Sequence, residues 1–324
     1  MKKLFYGLFI LTITLTSCSE DNEIDVNDPQ SLEADESFFL RTSAEQCGTN
    51  EAKNLNLEKN PNLQLDYDAV EAFTRRALEN NDVSRLAADG SIIIPVVYHV
   101  IYRTQSENLS LSVLEDQILA MNEDFNLNNP NRGNVPSEFQ PVESNIGISF
   151  ELQQVIRVQS NKRRWRPDDS MKFSSSGGSD VVNPEEFLNI WIVNSMPYRG
   201  GQILGYAQFP GGARATDGVV LAKNFVGRDD RTATHEVGHY LNLRHIWGDG
   251  GCSVDDFVND TPLSSQNYSN QCPTYPVASC GSNDMTMNYM SYVRDECMYM
   301  FSNGQKDRML TVFAPGGYRE AMAQ

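Results

Sequence analysis

Three of the chain's four histidines fall in one short run, His235-Glu236-Val237-Gly238-His239-Tyr240-Leu241-Asn242-Leu243-Arg244-His245. No other feature constrains the fold as much. His235 and His239 are one helical turn apart and project from the same face of a helix. His245 would point roughly 240° round the axis if that helix simply continued. To bring it back, the chain must leave the helix near Asn242, and asparagine is the non-glycine residue that best tolerates the left-handed backbone such a stop requires. Three neutral imidazoles suit a tetrahedral zinc ion with one position left open, which is the arrangement of a catalytic rather than a structural site. Glu236 stands on the rim of that site. There it can take a proton from a metal-activated water and pass it to a leaving amine, so peptide hydrolysis proceeds without a covalent intermediate.

Charge and the N-terminus narrow the setting. A formal charge of −17 over 324 residues argues against nucleic acid or an anionic membrane surface as partners. A surplus of carboxylates suits an exported protein that binds calcium. The 40% hydrophobic content supports a true core. Lys2 and Lys3 precede an apolar run from Leu4 to Thr16 that is too short to span a bilayer, so residues 1–17 read as an export signal. Leu15-Thr16-Ser17-Cys18 resembles the lipobox of bacterial lipoproteins, with Cys18 as the lipidated residue, and the acidic run after it resembles a surface-export tag. Membrane contact is then expected only through an N-terminal lipid anchor. The chain is either an outer-membrane lipoprotein, displayed at the surface, or an enzyme secreted after processing.

Residues 18–91 read as tether and pro-segment, flexible to about residue 66, with a short helix from Tyr67 to Leu78. Residues 92–324 read as the main domain. Ile92 to Tyr102 is apolar on both faces, as in a strand buried on each side, and His99 within it reads as a core histidine. Ser112-Val113-Leu114-Glu115 has the pattern of a capping box for a helix carrying Leu114, Ile118, Met121 and Phe125 at core spacing. Strands are expected from Ile146 to Gln153, Phe187 to Val193, Gln202 to Phe209 and Gly218 to Leu221. Asp229 or Asp230 is expected to cap the histidine-bearing helix. Beyond His245 the chain is rich in Asn, Ser, Asp and Gly, up to a last helix capped by Ser302. Of the six cysteines, Cys252, Cys272, Cys280 and Cys297 cluster late; in an exported chain they read as two disulfides, with three pairings open.

The histidine run resembles the long zinc motif of the metzincin peptidases, with Asn242 where most members have glycine. Asn288-Tyr289-Met290-Ser291-Tyr292 resembles their Met-turn. The continuation His245-Ile246-Trp247-Gly248-Asp249 and the late Cys297-Met298-Tyr299-Met300-Phe301 are similar to the pappalysin family. The resemblance covers residues 92–324.

It implies an α/β (α+β) metzincin-like domain, with a twisted mixed sheet and helices in its N-terminal half and an irregular, disulfide-braced C-terminal half. It implies a zinc endopeptidase acting on protein or peptide substrates. Tyr292 would stabilise the tetrahedral intermediate or swing on and off the zinc. The disulfides would be Cys252–Cys280 and Cys272–Cys297. Asp256 and Asp260 would be calcium ligands in an acidic loop. Cys47 in the pro-segment would place its thiolate on the zinc and keep the precursor latent. Asp295 or Glu296 would line the pocket for the residue after the scissile bond and favour arginine there, so that self-cleavage falls between Ser84 and Arg85. The competing reading is a non-catalytic surface lipoprotein, stiffened by metal, that binds a protein partner. Intact Glu236 and Tyr292 argue against it, because a binder needs neither. A further reading, hydrolysis of a non-peptide amide, is open to the same zinc chemistry.

Overall fold

The computed structural model describes residues 47–83 and 92–323. Cys18, Ser84 and Arg85 lie outside the described residues. Two helices come first, α1 (Thr49–Lys59) and α2 (Leu63–Glu79). The flexible tether expected up to residue 66 is therefore helical from Thr49 onward. Helix α1 has no clear apolar face and is ordered by docking, whereas α2 is amphipathic. Cys47, Thr49, Ala52, Thr74 and Ala77 are all buried against the main body.

The main body opens with β1 (Ile92–Tyr102), crosses over through α3 (Leu111–Phe125), and returns as β2 (Ile148–Gln159). Short strands follow: β3 (Leu188–Val193), β4 (Met196–Tyr198), β5 (Gly201–Ile203), β6 (Gly205–Ala207) and β7 (Val219–Ala222). The principal sheet runs β2-β1-β3-β7-β6. Its neighbours are parallel except β6, which pairs antiparallel with β7. Val96, Val97, Tyr98 and Val100 of β1 are fully buried, as a two-sided apolar strand requires. On α3, Leu114, Ile118, Met121 and Phe125 face the sheet, each contributing about 2 kcal/mol by leaving water. His99 is buried, stacked on Trp191 at 4.7 Å and bonded to Ser179 and Asn189, a core residue as expected.

Several boundaries differ from the sequence reading. The cap of α3 is Ser110, whose hydroxyl accepts from Val113 N–H, rather than Ser112. The strand expected from Gln202 to Phe209 is broken at Leu204 into β5 and β6, which belong to different sheets. The zinc-motif helix α4 (Thr232–Tyr240) starts after Asp229 and Asp230, and Arg231 holds the cap position with no side-chain cap bond. Its guanidinium is drawn instead to Asp124, with Nε 3.0 Å from Oδ2.

The C-terminal half has little regular structure beyond α5 (Asn303–Leu310), which Ser302 and Gln305 cap reciprocally. Disulfides Cys252–Cys280 and Cys272–Cys297 brace it. They span 28 and 25 residues, each worth about 3 kcal/mol if the loss of loop entropy in the unfolded chain is the whole effect.

Candidate active site

Helix α4 delivers His235 and His239 on one face, and the chain then turns back at Asn242, where φ is +76°. The turn is pinned from both sides. Arg308 Nε of α5 donates to Asn242 O at 2.8 Å, and Asn242 Nδ2 donates to Thr74 Oγ1 at 2.9 Å. His245 returns to the other two histidines. Its Nε2 is 3.0 Å from His239 Nε2, which is 3.2 Å from His235 Nε2. The opposite ring nitrogens are all engaged by acceptors: His235 Nδ1 by Tyr289 O at 2.7 Å, His239 Nδ1 by Leu243 O at 2.8 Å and His245 Nδ1 by Asp249 Oδ1 at 2.7 Å.

Those partners settle what the site can hold. An imidazole that donates from Nδ1 presents a bare lone pair at Nε2. Three lone pairs facing one another at contact distance repel unless a cation lies among them. Burial, and then the neighbouring His245, hold His235 down to about 3, and the same causes hold His239 well below the ordinary imidazole value, so both rings are neutral at physiological pH. The donor set fits zinc. Cys47 Sγ belongs to the same cluster, all four ligand atoms lying within 4.8 Å of one another.

Glu236 is fully buried beside the cluster. Its Oε2 accepts from Thr49 Oγ1 at 2.9 Å and from the Cys47 thiol at 3.5 Å, while its Oε1 has no partner. Burial pushes its carboxyl up to about 8, with the bonds from Thr49 and Cys47 pulling the other way. Tyr292 is buried with its ring 4.8 Å from that of His245, and its hydroxyl donates to Cys47 O at 3.4 Å. Met290 lies beneath the histidines, where a Cβ added at Gly238 would come 2.4 Å from its sulfur. Asp124 joins the supports: Thr234 of α4 and Tyr289 of the Met-turn both donate to it, at 2.7 and 2.8 Å.

The remaining sequence candidates separate. Asp295 is partly buried in a pocket shared with Arg231, Thr232, His235, Glu236 and Tyr292, and burial lifts its carboxyl to about 7. Glu296 borders the same pocket but is exposed and paired with Arg294 at 3.0 Å. Asp256 is buried and accepts from Thr261 Oγ1 and Val258 N–H, whereas Asp260 accepts from Ser302 and Gly304 at the start of α5. Among the described residues neither belongs to a cluster of three or more ligand-bearing side chains. Sequence reasoning assigned no role to three contributors: Thr49, Gly238 and Asp249. Each acts on a residue distant in the chain or across a loop. Only Asp249, four residues after His245, was within reach of a spacing argument.

Comparison with known proteins agrees with this geometry. Residues 175–314 match the family described as Pregnancy-associated plasma protein-A. An extracellular metalloprotease of Arthroderma benhamiae is 32% identical over 244 residues, which is 68% of this chain and 71% of that protein. One of Pyricularia oryzae is 30% identical over 250 residues, 70% of this chain and 77% of its own. Among solved structures, a Tannerella forsythia promirolysin variant has a TM-score of 0.76 at 34% identity, covering 86% of this chain and 97% of that one. Mature mirolysin of the same organism, in complex with a cleaved peptide, has a TM-score of 0.69 at 37% identity and covers 72% and 96%.

Gly238→Ala should strain the contact with Met290 and cost about 1–3 kcal/mol, the usual penalty of an extra methyl in a packed core. Thermal melts and retention of metal against a chelator measure it. An unchanged melting temperature would mean that Met290 has room to move and does not brace the site.

Proposed function

This chain belongs to the pappalysin family of zinc metallopeptidases, and we propose that it is an exported endopeptidase made as a latent precursor. It is a zinc metalloendopeptidase, and His235, His239 and His245 are the residues that would hold the ion. What carries this reading is the convergence of three unprotonated Nε2 atoms beside a buried carboxylate. Zinc bound there supplies a Lewis acid that polarises a peptide carbonyl and lowers the pKa of a water molecule.

The protein groups divide the remaining work. Glu236 takes a proton from the attacking water and returns it to the leaving amine, and a carboxyl lifted by burial is suited to exchange a proton near neutral pH. Tyr292 donates its hydroxyl to the oxygen on which negative charge develops. In the precursor the Cys47 carbonyl takes that hydrogen bond instead.

Latency follows from the pro-segment. Gly48 N–H donates to Gly205 O at 2.8 Å, and Ala207 N–H to Thr49 Oγ1 at 2.9 Å, so the pro-segment runs along the β6 edge that borders the cleft. Burial and the nearby Glu236 push the Cys47 thiol well above its ordinary value, so a thiolate there depends on a cation among the imidazoles. Its sulfur would then take the open metal position. Thr49 meanwhile holds the oxygen of the general base. The extracellular relatives support export, and the lipobox resemblance supports an anchor at Cys18. Asp295 at the pocket beside Glu236 supports a preference for arginine after the scissile bond.

Glu236→Ala should keep its metal, read by elemental analysis, yet lose at least about 10²-fold in peptide hydrolysis. Near-normal turnover in the metal-loaded variant would end this mechanism. Cys47→Ala should render the precursor active or self-degrading during expression, as followed by gel and a quenched peptide; a variant as inert as the parent would remove the thiolate lock. Processing is expected between Ser84 and Arg85. N-terminal sequencing and intact mass of the precursor and mature forms check both ends. A mature chain that starts elsewhere and ignores Arg85→Ala refutes the cleavage site, a peptide-library profile with no arginine preference after the cut refutes the acidic pocket, and an unmodified Cys18 refutes the anchor.

A further inference from the structure

A second pocket borders the histidines, and it is built around cations. Its walls include Phe209, Pro210, His239, Asn242, Arg244 and His245, and pro-segment helix α2 contributes Glu71 to it. The Glu71 carboxylate accepts a two-pronged bond from Arg308, with Nη1 to Oε1 at 3.0 Å and Nη2 to Oε2 at 2.6 Å. Arg244 Nη2 lies 3.5 Å from the same Oε2. Burial alone would raise the Glu71 carboxyl, but the bonds and charge of Arg308, with Arg244 behind them, hold it below the usual carboxylate range.

Removal of the pro-segment takes Glu71 away, whereas Arg244 and Arg308 belong to the main domain and stay with it. Arg308, only 1% exposed in the precursor, stays tied through Nε to Asn242 O. Arg244 stays over the Phe257 ring, at 4.4 Å from its centre. A largely buried guanidinium stripped of its carboxylate is strongly disfavoured. The other acid in the pocket, Asp249, is held by His245 Nδ1 at 2.7 Å. Its second partner, Asn50 at 2.8 Å, departs with the pro-segment, as does Lys53. Arg244 in the pocket wall and Arg308 at the place Glu71 vacates are then set against the engaged Asp249 and, near Arg308, the buried Asp256, whose carboxyl burial raises toward its neutral form, so the emptied site is cationic.

We infer that Arg244 and Arg308 form a carboxylate-binding subsite of the processed enzyme, which takes an acidic side chain of the substrate on the amino side of the scissile bond, and that Glu71 is its placeholder in the precursor. The side follows from the layout of the two pockets. The one assigned to the residue after the cut touches His235, Glu236 and Asp295, whereas this one touches His239 and His245 and shares none of those residues. The inference rests on the peptidase reading and on that assignment.

The test uses processed enzyme and matched peptides in which Glu or Gln is scanned through each position before the scissile bond. At one position the Glu peptide should be cleaved with a kcat/KM about tenfold above its Gln twin. That ratio should shrink as added salt screens the contact. It should fall toward one in Arg244→Gln, compared at equal melting temperature. Because Arg308 also pins Asn242, Arg308→Lys is the second variant: it keeps the charge, loses the planar fork, and should lower the ratio in part. Equal rates for Glu and Gln at every position, or a Glu preference that Arg244→Gln leaves intact, overturns the subsite and leaves the peptidase standing. Failure to cleave any peptide overturns both.

Discussion

Three imidazole nitrogens held 3.0 and 3.2 Å apart, each with its proton committed elsewhere, are the constraint on which the rest of this structure depends. Such a cluster is repulsive on its own and stable around a cation, so the fold must keep it assembled. Helix α4 supplies two of the rings at the spacing of one turn. The third arrives only because Asn242 accepts a positive φ, and Arg308 then ties that turn to α5. Tyr289 O, Leu243 O and Asp249 each hold one ring by its far nitrogen and so fix both orientation and tautomer. Asp124, on helix α3, accepts hydrogen bonds from both Thr234 and Tyr289 and so couples the zinc-motif helix to the Met-turn.

The segment from Cys47 to Glu79, which we propose is removed on activation, covers the candidate site group by group. Its sulfur lies with the three histidines, its Thr49 hydroxyl bonds Glu236, and its Cys47 carbonyl accepts from the Tyr292 hydroxyl. Farther along, Glu71 neutralises Arg308. These contacts also explain why α1, which has no amphipathic face of its own, is ordered beside the amphipathic α2. Most isolated helices of such length are marginal in water, and this pair is held by docking into polar and charged partners.

Legibility was uneven, and the unevenness has physical causes. The three histidines lie within eleven residues and obey the geometry of one helix and one turn, so spacing alone brought them together. Strand β1 and the core face of α3 were visible for a similar reason, since burial on a regular element imposes a period on the chain. Boundaries were less visible. Ser110 rather than Ser112 caps α3, and α4 begins at Thr232 because Arg231 pairs with Asp124, a partner more than a hundred positions away. The helix α1 was missed outright, because its order comes from the surface beneath it and leaves no periodic trace.

By itself, then, the sequence determined the metal chemistry, the left-handed stop at Asn242 and the strand-and-helix character of the N-terminal half, all of which rest on neighbours within a few turns of chain. Only the tertiary structure decided that Thr49 meets Glu236, that Gly238 must be small because Met290 lies against it, and that Glu71 bridges to Arg308. It also parted Asp295, set in the pocket wall, from its exposed neighbour Glu296. Those pairings join residues separated by tens to hundreds of positions. Hydrogen bonding and packing act over a few ångströms, so nothing in the local order of the chain records them until the fold has brought the partners together.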